Sequence, residues 1–130
     1  MDIDSKKILI IEDEEAMQRA ISDALLNQGF TTLTADDGEE GLSISLSQHP
    51  DLILLDILMP KMDGMIMLQK LRLDEWGKTV PVIILTNLNP NSSSAINSIL
   101  QNKPAYYLIK SDIKLEGIVD KVREVLKIQD

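Results

Sequence analysis

Leu52-Ile53-Leu54-Leu55-Asp56 sets four large aliphatic residues in a row and ends them on a carboxylate. A block this short and this uniformly apolar fits a strand covered on both faces, as in the middle of a parallel sheet. The same texture recurs upstream in Ile8-Leu9-Ile10-Ile11 and downstream in Val82-Ile83-Ile84-Leu85. Two further runs are more mixed, Thr31-Thr32-Leu33-Thr34 and Tyr106-Tyr107-Leu108-Ile109. The polarity of the threonine run suits an edge strand.

Helical periodicity fills the intervals. After the first run, Met17, Ile21, Ala24 and Leu25 fall on one face of a helix that ends at Gly29. Ser43-Ile44-Ser45-Leu46-Ser47 alternates like a strand, yet its setting between Gly38 and Pro50 favours a helix burying Gly41, Leu42 and Leu46. Leu68 and Leu71 support a helix between Met65 and Leu73, and Pro90 or the serines after it can start another that runs to about Gln101. The clearest stripe is the last: Leu115, Ile118, Val119, Val122, Val125 and Leu126. Strand and helix thus alternate five times, which predicts a doubly wound (βα)5 α/β sandwich around a five-stranded parallel sheet. One domain is expected over residues 1–130, with its core between about 7 and 126; there is no internal repeat or linker.

Composition narrows the function. Of 130 residues, 44% are hydrophobic and 26% charged, enough apolar material for one core and too little charge for global disorder. A net charge of −8 argues against direct nucleic-acid binding, since few cations are available to replace counterions on a phosphate backbone. The absence of cysteine removes disulfides, thiolate metal sites and thiol nucleophiles. The acidic start Met1-Asp2-Ile3-Asp4-Ser5 is unlike a signal peptide, and no apolar stretch approaches a membrane span, so a cytoplasmic protein is expected.

The informative polar residues stand at the ends of the apolar runs: Glu12 and Asp13 after the first, Asp56 after the third, Thr86 after the fourth and Lys110 after the fifth. All strands of a parallel sheet end at one edge, where ligands bind in such folds, so these side chains converge without any spacing pattern in sequence. Taken singly, each has an ordinary explanation, an Asp after a strand being commonly a helix cap or a solvated turn. That explanation must be repeated at four strand ends. If the first and third strands are neighbours, Glu12, Asp13 and Asp56 crowd together and repel unless a cation intervenes. A hard divalent ion such as Mg2+ (or Mn2+) relieves this. With a carboxylate nucleophile, a metal, a lysine and a hydroxyl, the rim has the parts of a phosphoryl-transfer site.

These residues resemble the receiver domains of two-component response regulators, over nearly the whole chain from about Lys7 to Leu126. The most specific stretch is Leu54-Leu55-Asp56-Ile57-Leu58-Met59-Pro60-Lys61-Met62-Asp63-Gly64, which matches the family's D-x-x-M-P-x-M-D-G signature. Ile11-Glu12-Asp13-Glu14, Leu85-Thr86 and Tyr107-Leu108-Ile109-Lys110 match as well. The resemblance implies strand order 2-1-3-4-5 and a domain that accepts a phosphoryl group on Asp56 from a phosphohistidine. It implies metal contacts from Asp13, Asp56 and the backbone carbonyl of Leu58, with Glu12 acting mainly through metal-bound water. It makes Thr86 the switch hydroxyl, Lys110 the cation paired with the phosphoryl group and Tyr107 the aromatic switch.

The implied partners are a histidine kinase or histidine phosphotransfer protein and a downstream target or output domain, with phosphorylation-dependent dimerisation open. Such a domain promotes its own phosphoryl transfer and dephosphorylation without being a conventional turnover enzyme. Three departures from the pattern stand out. Ser111 follows the lysine where many receivers have Pro, Lys103-Pro104 stands where Gly-Ala is common, and Asn87 follows the threonine where small residues are usual.

Other readings fare less well. His49, the one histidine, lacks metal-ligand partners and reads as a solvated loop residue. Trp76 reads as semi-exposed packing, Tyr106 as an exposed neighbour of Tyr107, and Met59, Met62, Met65 and Met67 as adaptable packing. A phosphohydrolase with an aspartyl intermediate would want a second acid two residues after Asp56, where Leu58 stands. A flavin site would want a phosphate cradle after the first strand, where Glu12-Asp13-Glu14-Glu15 repels phosphate. The main rival keeps the fold as a protein-binding module that works without phosphorylation. Leu58 and Leu88, both apolar, flank the family's route for attacking water, so slow self-dephosphorylation is predicted. Decay of labelled protein should be slow and should accelerate with a polar substitution at Leu88; loss within seconds, insensitive to that change, would contradict it.

Overall fold

A computed structural model describes residues 6–57, 59, 61–87 and 101–127. Strands β1 (Lys7–Ile11), β2 (Thr31–Ala35), β3 (Leu52–Leu55), β4 (Val82–Thr86) and β5 (Tyr106–Ile109) form one sheet in the order β2-β1-β3-β4-β5, each adjacent pair parallel. The three aliphatic blocks take the three inner places, and every residue of β3 and β4 is buried. The threonine-rich β2 lies at an edge with Thr31 and Thr34 exposed, as its polarity predicts.

Helices α1 (Glu15–Asn27), α2 (Gly38–Gln48), α3 (Gly64–Leu73) and α4 (Leu115–Val125) complete the described elements, with a 3-10 turn at Lys110–Asp112. Because side chains alternate along a strand, each inner strand feeds two cores. Leu9, Ile11, Ile53, Leu55, Val82 and Ile84 face Met67, Leu68 and Leu71 of α3. Ile8, Ile10, Leu52, Leu54 and Ile83 face Ile21 and Leu25 of α1 and Ile118 and Val122 of α4. The helix expected over 90–101 lies, apart from Gln101, outside the described residues.

Two burial expectations need correction. Leu46 is 41% exposed, whereas Ser45 is fully buried and donates its hydroxyl to the Gly41 carbonyl at 2.7 Å. The cause is close approach: a Cβ on Gly41 would lie 2.5 Å from Cδ1 of Ile11, so α2 turns its smallest residues to the sheet. Leu115 is 37% exposed, because the first position of α4 lines a shallow groove with Asn27 and Gln28 and does not reach the core.

Arg72 organises the side of the sheet that leads into β5. Its Nη1 donates to the carbonyls of Gly77 at 2.7 Å and Val80 at 2.8 Å, and its Nε to that of Asn102 at 2.9 Å. Nη2 reaches the Lys103 carbonyl at 3.2 Å. Lys103 itself is left-handed at φ 54, a conformation that glycine adopts at the least cost. A planar fork with five N–H donors can hold several carbonyls at once, which a lysine cannot. Arg72→Ala should lower unfolding free energy by about 2–3 kcal/mol, the scale of losing charge-assisted hydrogen bonds to partly buried acceptors. Arg72→Lys should recover only part of it, both read from urea midpoints.

Candidate functional site

Glu12 and Asp56 continue the backbone ladder one step past their strands. The Asp56 N–H donates to the Ile11 carbonyl at 3.0 Å, and the Glu12 N–H to the Ala35 carbonyl at 3.0 Å. Since β1 and β3 are paired with Ile11 opposite Leu55, the next residues bring their carboxylates together at the carboxyl rim. Asp13 joins from the exposed side, and one oxygen from each of Glu12, Asp13 and Asp56 lies within 4.8 Å of the others. Glu12 and Asp56 are buried, at 2% and 5% exposure.

Two buried carboxylates side by side are unfavourable unless a cation compensates them. Lys110, which opens the 3-10 turn after β5, supplies one. Its Nζ donates to Asp56 Oδ2 at 3.0 Å and forms a closer ion pair with Glu12 Oε1. Burial lifts the Glu12 carboxyl above its usual range, against the opposing hydrogen bonds from Lys110 and the Glu14 N–H. Burial also works against the Lys110 ammonium, but its hydrogen bonds to Glu12 and Asp56 outweigh this and raise its pKa. The lysine is an internal counter-ion shared by the two buried carboxylates.

Thr86, fully buried at the end of β4, stands opposite Ile109 in the ladder. By alternation it shares its face with Ile84, and half-buried Tyr107 packs on that face against the core that includes Ile84. The threonine and tyrosine singled out in the sequence are therefore on one side of neighbouring strands. The Leu58 carbonyl, like Leu88, lies outside the described residues.

The turn after Asp56 explains much of the signature in structural terms. Asp63 caps α3 by accepting from the Ile66 N–H at 3.0 Å. Gly64 donates its N–H to the Ile57 carbonyl at 2.9 Å, and a Cβ there would lie 2.1 Å from the Asp56 carbonyl oxygen. Lys61 is left-handed at φ 62 and its Nζ lies 3.6 Å from Asp37 Oδ2. Met62 accepts from the Gly38 N–H at 3.0 Å, tying the start of α2 to this turn. Met67 is buried, while Met59, Met62 and Met65 pack partly buried against the same core, as adaptable filler does.

Two supporting residues escaped the sequence reading. Asp37, 7% exposed, caps α2 by accepting from the Glu40 N–H at 2.8 Å; an Asp before Gly-Glu-Glu is a recognisable helix-start signal. Gln18 Nε2 donates to the carbonyls of Glu12 at 2.9 Å and Ala35 at 3.1 Å and to Asp36 Oδ1 at 3.0 Å, steadying the backbone beneath the acids. Nothing in the sequence announces that role, which arises only when α1 lies across the rim. His49 is exposed but not merely solvated. It closes α2 in the left-handed conformation at φ 46, and its ring stacks on half-buried Trp76 with centroids 4.3 Å apart. Tyr106 is half-buried, its hydroxyl donating to Glu124 Oε1 at 2.7 Å.

Hard carboxylate oxygens converging beside a solvent opening fit a hard divalent cation, with Asp13 on the open side and Asp56 at the base. No helix among the described residues is long and apolar enough to cross a membrane.

Known proteins share the family and fold of this chain. The family described as "Response regulator receiver domain" matches residues 8–123. The probable transcriptional regulator ycf27 of Porphyridium aerugineum is 41% identical over 127 residues, covering 96% of this chain and 50% of that protein. The DNA-binding dual master transcriptional regulator RpaA of Synechocystis is 40% identical over 82 residues, covering 63% of this chain and 34% of that protein. The chain therefore spans half or less of the length of these relatives. A two-component response regulator from Clostridium difficile superimposes with a TM-score of 0.83 at 28% identity, covering 95% of this chain and 97% of that one.

The contact beneath Gly64 yields a test of the site's construction. Gly64→Ala should force the Asp56 carbonyl and the start of α3 apart and lower stability by about 1–3 kcal/mol, the usual scale of overpacking. It should also weaken divalent-ion binding, measured by calorimetry on the folded variant.

Proposed function

The chain belongs to the response regulator receiver domain family of two-component signalling, and from that membership we propose that Asp56 accepts a phosphoryl group from a phosphohistidine. Receiver domains are signalling modules, and the single observation that supports this assignment is the buried Asp56 carboxylate held by Lys110 at the convergence of the acids. A carboxylate held by a lysine ammonium can attack phosphorus once added positive charge screens the anionic donor.

In the reaction, an Asp56 carboxylate oxygen attacks phosphorus in line, the O–P bond forms and the P–N bond to the imidazole breaks. The departing imidazole nitrogen takes a proton from water. Glu12, Asp13 and Asp56, with the Leu58 carbonyl, are the residues we assign to Mg2+ (or Mn2+), Glu12 acting mainly through bound water. When bound, the metal supplies the charge that lets an anionic phosphoryl group approach these acids. Lys110 turns from the Glu12 carboxylate toward the phosphoryl oxygens, and the Thr86 hydroxyl donates to another. Movement of Thr86 frees space on the face it shares with Tyr107, which turns inward.

That rearrangement biases a surface built from β5 and α4 together with the helix expected over 90–101, which, apart from Gln101, lies outside the described residues. The phosphate needs only to bind one arrangement better than the other to shift the population. We assign the donor to a histidine kinase or histidine phosphotransfer protein in the cytoplasm. The readout is a target protein or output domain, with a phosphorylation-dependent dimer as one form of it. The named relatives are transcriptional regulators, but this chain matches only part of them. Its net charge of −8 suits contacts with protein rather than direct contacts with DNA. Residues 1–130 act as one receiver unit in this reading. The intact set of Asp56, Thr86 and Lys110 gives no support to a module that works without phosphorylation.

Incubation with acetyl phosphate and Mg2+ should place one hydroxylamine-labile phosphoryl group on the protein, lost in Asp56→Asn and on removal of the metal by a chelator. Labelling of Asp56→Asn at the unsubstituted rate would refute the assignment.

A further inference from the structure

Two positions at the rim depart from the usual receiver pattern, and in the structure they meet. Asn87 stands directly after Thr86, and Ser111 directly after Lys110. The Asn87 Oδ1 accepts a hydrogen bond from the Ser111 backbone N–H at 3.1 Å. Proline, common at the second position, has no N–H to give, and a small apolar residue at the first has no acceptor to offer. Each departure supplies what the other requires.

We propose that the Asn87–Ser111 hydrogen bond is a latch that fixes the lysine turn to the end of β4, making Asn87 a positioning residue for phosphoryl uptake. This rests on the assignment of Asp56 as acceptor. The β4–β5 ladder stops at Thr86 opposite Ile109, so Asn87 and Lys110 are the first residues beyond the strand pairing. From there the chain enters a 3-10 turn of three residues with no side-chain cap on its preceding residue, Ile109. The opening N–H groups of such a turn have no partner within it. Asn87 reaches across and satisfies one of them, extending the tie between the strands by a side chain where the backbone no longer can.

The site of action is what gives the latch a role in the reaction. Lys110 lies between Glu12 and Asp56, and its four-carbon stem is flexible, so the placement of its ammonium depends on where the turn holds its Cα. A turn tied to the strand that carries Thr86 keeps the cation and the hydroxyl in one frame. Charge stabilisation that is positioned in advance accelerates group transfer more than the same charge left to find its place.

The test is a double-mutant cycle on uptake of label from acetyl phosphate at saturating Mg2+, with Mg2+ affinity measured in parallel by calorimetry. Asn87→Leu keeps the bulk and removes the acceptor; Ser111→Pro removes the N–H; Ser111→Ala retains it. Each of the first two should slow uptake by about three- to ten-fold, the range set by one net hydrogen bond. Ser111→Ala should match the unsubstituted rate. The double variant should be no slower than either single one, and Mg2+ affinity should stay unchanged throughout.

Additive effects, an unslowed Asn87→Leu, or a loss of Mg2+ affinity as large as the loss of rate would overturn the latch. Where Ser111→Pro does not fold, Asn87→Leu against Ser111→Ala decides: slowed against unslowed supports the proposal, and equal rates overturn it. Absence of label on the unsubstituted protein would instead refute the acceptor assignment, and the latch with it.

Discussion

Two carboxylates buried side by side set the terms for this molecule. Glu12 and Asp56 are withdrawn from water at the ends of adjacent strands, and neither position is tolerable for a charged group without a cation in contact. Lys110 meets both, from a turn that only the fifth strand can bring within reach. The arrangement compensates much of the negative charge but not all of it, since Asp13 adds a third carboxylate on the open side. The surplus suits a divalent ion, and the lysine's divided attachment suits a cation that can later transfer its attention to a new anion.

The remaining architecture serves to hold that cluster still. Buried aliphatic strands are rigid supports, and their parallel arrangement delivers all the reactive groups to one rim. Beneath the acceptor, Gly64 lets α3 start against the Asp56 carbonyl, while Asp63 and Asp37 cap the helices that brace the turn. One oxygen of each of these two acids accepts from a backbone N–H at the start of its helix. Much of the signature motif therefore encodes the seat of the reactive carboxylate rather than the chemistry.

The sheet was legible because its three inner strands are unbroken aliphatic blocks, each short and ended by a polar residue. The acids, Thr86 and Lys110 were legible because a parallel sheet turns strand ends into a shared site whatever their distance along the chain. What escaped had other causes. Leu46 and Ser45 exchange the places expected of them because helix-to-sheet distance, here set by Gly41 over Ile11, outranks hydrophobicity at a given turn. The grip of Arg72 on four carbonyls, the support given by Gln18 and the pairing of Asn87 with Ser111 all join segments remote in sequence through backbone atoms. Backbone donors and acceptors carry no residue-type signal, so no pattern of letters reveals them. The direct contact of Lys110 with Glu12 was likewise invisible, since the acids alone suggested that only a metal could relieve them.

The stacked pair of His49 and Trp76 has a practical corollary for spectroscopy. The protein contains one tryptophan, and that indole lies under an imidazole beside the C-terminal end of α2, at the rim of the sheet opposite the acids. Tryptophan emission therefore reports first on the integrity of that remote corner. A fluorophore that could watch the reacting end would have to be introduced there by design.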